Sequence, residues 1–187
     1  MALASGAPHL HDLDQFAVAV GFRPDAVGGI GRTVLDLDDG LRIAIGLEGG
    51  INFVFDNADG EAFRIESAPV ARAGVWTHAV LSYDSHTGVM EAFVDGESVG
   101  TAAARGLSDP ASFAPWTLGH PWLPGFEGEV RIFAVYDDPV DAAGAAALFE
   151  AAGAWAEAAP APEPLPEAPE APEAAADFQG ILVSVDP

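Results

Sequence analysis

The sequence predicts an all-β domain: a two-sheet antiparallel β-sandwich with one short helix at its end, followed by a disordered, proline-rich tail. Three observations predict it. Large apolar residues recur with a period of two, Asp-Gly pairs separate the runs, and the composition changes abruptly near residue 155.

Phe16, Val18, Val20 and Phe22 alternate with Ala17, Ala19 and Gly21, so the first run is a strand with one large-residue face. Leu41, Ile43, Ile45 and Leu47, alternating with Arg42, Ala44 and Gly46, make a second of the same kind. Further strands are expected at Ile51–Phe55, Ala62–Glu66, Val75–Tyr83, Met90–Val94, Ser98–Thr101, Trp116–Leu118 and Gly128–Tyr136. Asp39-Gly40, Asp59-Gly60 and Asp95-Gly96 fall between such runs, where a residue tolerant of positive φ lets a tight turn match the twist of its strands. About nine or ten strands in some 140 residues is the density of a sandwich. One helix follows. Asp141 is placed to accept from the backbone N–H groups of the next turn, AAGAAALFEAA supplies helix formers, and Gly153 suits the exit. Leu148 and Phe149 are expected to dock this helix, which needs docking because Gly144 costs it about 1 kcal/mol relative to alanine.

The chain divides into a sandwich at 1–155, a Pro/Ala/Glu-rich linker at 156–176 and a final segment at 177–187. Proline removes backbone donors and fixes φ, so the linker is an extended, charged spacer with a reach of about 60 Å. Phe178–Val185 (FQGILVSV) is an orphan strand that either docks back onto the sandwich or begins a further domain.

Seven arginines, no lysine and 29 acids give a net charge of −22. Phosphate recognition needs clustered cations, and arginines scattered from Arg23 to Arg131 do not supply them, so no nucleic-acid partner is expected. An anionic bilayer would repel the chain, and no run approaches the ~18 apolar residues of a span, so no membrane insertion is expected either. The absence of cysteine excludes a disulfide framework and thiolate metal sites. The first residues lack a basic region followed by an apolar run, so no secretory signal peptide is recognisable. The acidity has two readings: attraction of calcium or a cationic partner, or a solvated surface.

The run Trp76–Thr101 (WTHAVLSYDSHTGVMEAFVDGESVGT) resembles the central hairpins of laminin G-like domains in the concanavalin A-like lectin and glucanase superfamily. Phe16–Ala26 (FAVAVGFRPDA) is similar to that family's strand entering an Arg/Lys-Pro corner, and Leu118–Phe149 resembles its last long strand and closing helix. The resemblance covers about residues 10–150 and implies a jelly-roll sandwich. It also implies a calcium site, against which two departures stand. The family's opening strand with an F-D-G-type motif is missing unless Phe178–Val185 takes its place, and Arg131 stands where an aspartate is common. Arginine cannot ligate calcium, which takes several oxygen ligands.

The scaffold serves binding modules and glycosidases alike, so function rests on a site. Retaining glycosidases place two carboxylates about 5–5.5 Å apart, and the E-x-D-x-x-E strand of the superfamily's glucanases has no counterpart here. Leu35–Asp39 (LDLDD) puts Asp36 and Asp38 on one face but reads as an acidic turn, and Glu127–Glu129 lacks further partners. No enzymatic activity is therefore expected. Asp84 and His86 in the YDSHTG hairpin, with Ser82 and Ser85, are candidate ligand contacts, and their simpler reading is turn chemistry with a solvated His86. His9 and His11 read as a weak metal pair or as part of a solvated acidic edge, and His78 as a packed, hydrogen-bonded sandwich residue beside a structural Trp76. Gly119–Gly125 (GHPWLPG) is a constrained loop that either displays Trp122 beside His120 or folds Trp122 over the core with Trp116 and Phe126. A displayed indole offers a flat apolar face to a sugar ring or a protein anchor.

The expected function is non-catalytic recognition of a glycan or a surface protein, through Trp122, His120, Asp84 and His86, on a larger secreted, cell-surface or virion protein. The alternative is a structural or assembly module without a small ligand.

Overall fold

The structure, a computed structural model, describes residues 14–29, 31–37, 40–107, 117–119 and 125–157, with side chains in the last stretch as far as Gly153. His9, His11, Asp38, Asp39, Trp116, nearly all of the linker and the segment Phe178–Val185 lie outside the described residues.

Among the described residues ten strands form two five-stranded antiparallel sheets. The back sheet has the order β10-β1-β6-β7-β8, with β1 at Gln15–Pro24, β6 at Thr77–Asp84, β7 at Val89–Val94, β8 at Glu97–Ala103 and β10 at Gly128–Tyr136. The front sheet has the order β5-β4-β3-β2-β9, with β2 at Arg32–Leu37, β3 at Leu41–Ile45, β4 at Ile51–Asp56, β5 at Ala62–Glu66 and β9 at Thr117–Leu118. Helix α1, Ala142–Glu157, follows β10. The expected sandwich is the one observed.

The core lies between the sheets and takes the large-residue faces read from the sequence. Phe16, Val18, Val20 and Phe22 of β1 are buried against Leu41, Ile43, Ile45, Ile51, Phe53 and Phe55 of the front sheet. Phe55 lies 5.4 Å from Phe16 and 4.5 Å from Tyr83, ring centre to ring centre, so one aromatic cluster ties the two sheets together.

The opposite face of β1 explains the helix. Ala17 and Ala19 are small and buried, and with Val80 and Phe93 they form a bed into which Ala145 of α1 sinks completely, with Tyr136, Val140 and Leu148 packed around it. The Asp141 cap forms as expected, its Oδ1 accepting from Gly144 N at 2.8 Å, and Ser82 Oγ accepts from Val140 N at 2.8 Å just before it. A side chain at position 144 would stand 3.0 Å from Val140, so the glycine that weakens the helix also lets its first turn pack tightly. The Asp95-Gly96 turn of the β7–β8 hairpin has positive φ at both residues, 51° and 81°. It lies so close to α1 that a Cβ on Gly96 would meet Ala146 Cα at 3.1 Å.

Two expectations are corrected. Gly153 does not end the helix: it is not among the residues with positive φ, and the alanine-rich run carries α1 on to Glu157. Leu35–Asp39 is not simply an acidic turn, because Leu35, Asp36 and Leu37 belong to β2. The register of β2 against β3 shifts between Thr33 and Leu35, and the consecutive residues Val34 and Leu35 are both buried. That bulge breaks the alternation by which a strand is recognised.

Candidate functional site

α1 packs over β1, β6 and β7 of the back sheet and leaves a recess of about 310 Å³ along β10, whereas among the described residues no helix lies over the outer face of the front sheet, which carries polar residues in register. Side chains two apart on a strand share a face, and pairing aligns them across strands. Thr33, Ala44, Asn52 and Glu66 stand in one transverse row through the pairs Thr33–Ala44, Ala44–Asn52 and Asn52–Glu66. Asp36, Arg42, Val54 and Arg64 stand in the next.

The first row ends in a recess of about 450 Å³ at the β3–β4 turn, walled by Leu47 and Pro69 and carrying Asn52, Glu66, Ser67 and Glu48. Leu47 is 63% exposed, although it continues the apolar alternation of β3. Turn bonds from Gly46 N to Gly50 O (2.7 Å) and from Gly49 N to Gly46 O (3.1 Å) hold the rim, and Ser67 Oγ accepts from Ile51 N at 2.8 Å. A Cβ at position 46 would lie 2.9 Å from Asn52 Nδ2 and displace that amide, so the glycine leaves room for it. The Asn52 amide and the Glu66 carboxylate make no hydrogen bond to another side chain or to the backbone among the described residues, so their donors and acceptors are available at the floor. This recess was not read from the sequence. The available signal was a polar residue, Asn52, on the outward register of an otherwise apolar strand.

In the second row Asp36 is 4% exposed and accepts from Arg42 Nε at 3.0 Å. The carboxylate that suggested glycosidase chemistry is thus neutralised in a strand. Glu127 and Glu129 are likewise in ion pairs, with Arg32 and Arg23.

His120 and Trp122 lie outside the described residues, but both ends of their loop are placed. Gly119 N donates to Val34 O at 2.9 Å, and Gly125 bridges Thr33, so the loop is tied at both ends to β2. Thr33 belongs to the row of Asn52 and Glu66, two strands or roughly 10 Å from Asn52. Asp84 and His86 are elsewhere. Their hairpin sits where β1 begins, with Ser85 N donating to Asp14 O, whereas the recess adjoins the Gly46–Gly50 turn and the segment that reaches Pro24 at the far end of β1. The two groups are on different sheets and at opposite ends of a strand on the order of 30 Å long.

The Asp84 turn is built by local bonds: Oδ1 accepts from His86 N at 2.8 Å and Oδ2 from Thr87 Oγ1 at 3.0 Å. Desolvation works to raise the Asp84 pKa, but these donors outweigh it and hold the carboxyl below the usual carboxylate range. His86 is solvent-exposed, 3.4 Å from Asp84 and 3.5 Å from Asp14.

Trp76 stands under two guanidiniums, Arg131 at 4.6 Å and Arg23 at 5.6 Å from its ring. His78 is packed as expected, but its Nδ1 is buried with no hydrogen-bond partner, and burial pushes its pKa down against the opposing charge of Asp95. The described residues do not fit the calcium set implied by the resemblance. Arg131, at the aspartate position, packs on Trp76, and no three Asp, Glu or His converge among the described residues.

No curated protein sequence matches the chain. Its fold is shared by a carbohydrate-binding module, CBM40, of the Ruminococcus gnavus IT-sialidase (TM-score 0.61, 15% identity, 80% of this chain and 95% of that one), solved elsewhere with α2,3-sialyllactose bound. It is also shared by the binding domain of Paraclostridial Mosquitocidal Protein 1 (TM-score 0.61, 13% identity, 80% of this chain and 40% of that one). A pentraxin from Limulus polyphemus resembles it as well (TM-score 0.56, 12% identity, 76% of this chain and 73% of that one). Identities this low establish the common fold. The family model described as the concanavalin A-like lectin/glucanases superfamily, of laminin G type, matches residues 2–145, and the chain belongs to that family.

Proposed function

We propose that the protein is a non-catalytic glycan-recognition module whose binding face is the outer surface of the front sheet. The observation that carries this reading is the recess at the β3–β4 turn. It joins unpartnered amide and carboxylate groups on Asn52 and Glu66 to the apolar walls Leu47 and Pro69. Sugars present hydroxyls and C–H faces together, and such a mixed, concave lining meets both. The ends of the loop that carries His120 and Trp122, Gly119 and Gly125, are both tied to β2, whose Thr33 belongs to the same transverse row. The family and the carbohydrate-binding module with the same fold support the reading.

Shallow contacts give modest affinity per site. The Pro/Ala/Glu spacer at 156–176 then acts as a tether that presents the head from a larger extracellular, cell-surface or virion protein, where several copies bind together. A glycan panel read with purified protein, in calcium and in chelator, tests the reading. The Asn52→Ala/Glu66→Ala double variant is expected to lose binding by about tenfold or more while melting like the parent, and Trp122→Ala to weaken it if the loop takes part. Silence of the parent protein across the panel overturns the proposal and favours a structural or protein-contact module. Binding unaffected by the double variant moves the site off this face.

A further inference from the structure

We infer that the front face selects a sugar bearing a single carboxylate, held between Arg64 and Arg42 while its hydroxyls meet Asn52 and Glu66; this rests on the glycan-recognition function proposed for the same face. Arginine is scarce here, and its placement is informative. Arg23, Arg32, Arg42, Arg105 and Arg131 each lie within 4 Å of a carboxylate oxygen. Arg64 has no carboxylate, hydrogen bond or ring partner among the described residues, in a chain whose net charge of −22 offers partners on every side. Arg72 also lacks one, but it lies in the loop between β5 and β6, whereas Arg64 is exposed on β5, on the face that α1 leaves uncovered.

The register supplies the geometry. Arg64 pairs with Val54 and Val54 with Arg42, so the two arginines flank an apolar floor about 10 Å apart between Cα atoms. The Nε bond to Asp36 draws Arg42 toward β2, so the unpartnered Arg64 is the side chain left to reach across Val54. Arg42 uses its Nε on Asp36 and keeps its terminal nitrogens. Asn52 and Glu66 lie two residues further along the same strands, a displacement of about 7 Å, which is the width of one pyranose ring. A carboxylate on the ring therefore reaches the arginine row while the ring hydroxyls reach the recess. The planar fork of arginine matches a carboxylate with two parallel hydrogen bonds. Glu48 and Glu66 at the recess repel a multiply charged group, which sets the preference for one carboxylate over clustered sulfates or phosphates.

Arg64→Gln is the clean variant, because Arg42 also neutralises the buried Asp36 and its loss would unseat β2. Titration of the full chain with methyl galacturonide, its methyl ester, 3′-sialyllactose, lactose and a sulfated disaccharide separates the possibilities. The expected result is binding of at least one carboxylate sugar about tenfold tighter than its neutral counterpart, a preference abolished by Arg64→Gln and partly restored by Arg64→Lys at unchanged melting temperature. Which carboxylate sugar binds distinguishes a uronate from a sialyl ligand. Equal affinity for acidic and neutral partners, or a preference that survives Arg64→Gln, overturns the inference and leaves the glycan reading standing. Preference for the sulfated sugar overturns the carboxylate assignment alone. Absence of binding to every sugar, neutral ones included, overturns the glycan reading and this inference together.

Discussion

At the scale of single residues, His78 and Asn57 answer the same question in opposite ways. Both are polar and buried, at 4% and 0% exposure. Asn57 is fully satisfied: its Oδ1 accepts from Asp59 N and Glu61 N, and its Nδ2 donates to Arg105 O and Glu61 Oε2. Arg105 grips Glu61 with two further bonds of 3.0 and 2.7 Å, and Tyr83 donates its hydroxyl to Gly106 O nearby. Burial, with the Asp84 and Asp14 charges behind it, pushes the Tyr83 phenol up to about 12. His78 has an orphan Nδ1 under α1 instead, and burial lowers its pKa. The unfolded chain then takes up a proton near the ordinary histidine value, about 6.5, while the folded chain resists until lower pH. His78 therefore lowers stability progressively as pH falls below about 6.5. Urea midpoints measured from about pH 8 to about pH 5 should show the parent losing ground against His78→Gln as the pH falls. Parallel curves would mean that the imidazole is not the group that titrates.

At the scale of elements, α1 is a helix that its surroundings make. It lacks acidic residues in its first turn and basic ones in its last, and two glycines interrupt it. What holds it is the bed of Ala17 and Ala19 on β1 with Val80 of β6 and Phe93 of β7, the Asp141 cap and the close approach of the Asp95-Gly96 turn. Asp141→Ala is expected to cost about 1 kcal/mol. Since α1 packs on the back sheet and lines no part of the front recess, that variant should reduce chemical stability without changing glycan affinity at low temperature. A fall in affinity at unchanged helicity would place the helix in the binding face.

For the whole molecule, charge is the decisive property. The sandwich portion, residues 1–155, carries seven arginines against 22 acids, hence −15, and its mutual repulsion opposes compaction. Ion pairs such as Arg23–Glu129 and Arg105–Glu61 act in the other direction, but they are surface pairs of small worth. Salt weakens both. Because repulsion is the larger sum, the melting temperature should rise by several degrees between about 10 mM and about 300 mM sodium chloride, where the screening length falls from roughly 30 Å to below 10 Å. A scan in the presence of chelator checks this, and a flat or falling response would mean that the ion pairs outweigh the repulsion.

The sandwich, the order of its hairpins and the cap of its helix were legible in the sequence, because alternation and Asp-Gly turns are local consequences of side-chain size and backbone freedom. β2 was hidden, since its bulge buries Val34 and Leu35 in succession and breaks the period that announces a strand. The extension of α1 past Gly153 was hidden as well, because a glycine marks a helix end only where the chain turns into positive φ. The candidate site divides the same way. Composition and motif singled out the loop of Trp122 and the Asp84 hairpin, each a local feature; the fold ties the ends of the first, Gly119 and Gly125, to the front sheet and carries the second on the back sheet. Asn52, Glu66, Arg42 and Arg64 come from three strands, with nothing in their spacing to link them. Only the pairing of β3, β4 and β5, together with a helix that packs on the opposite sheet, makes them neighbours on one exposed face, because register across strands is a property of tertiary structure.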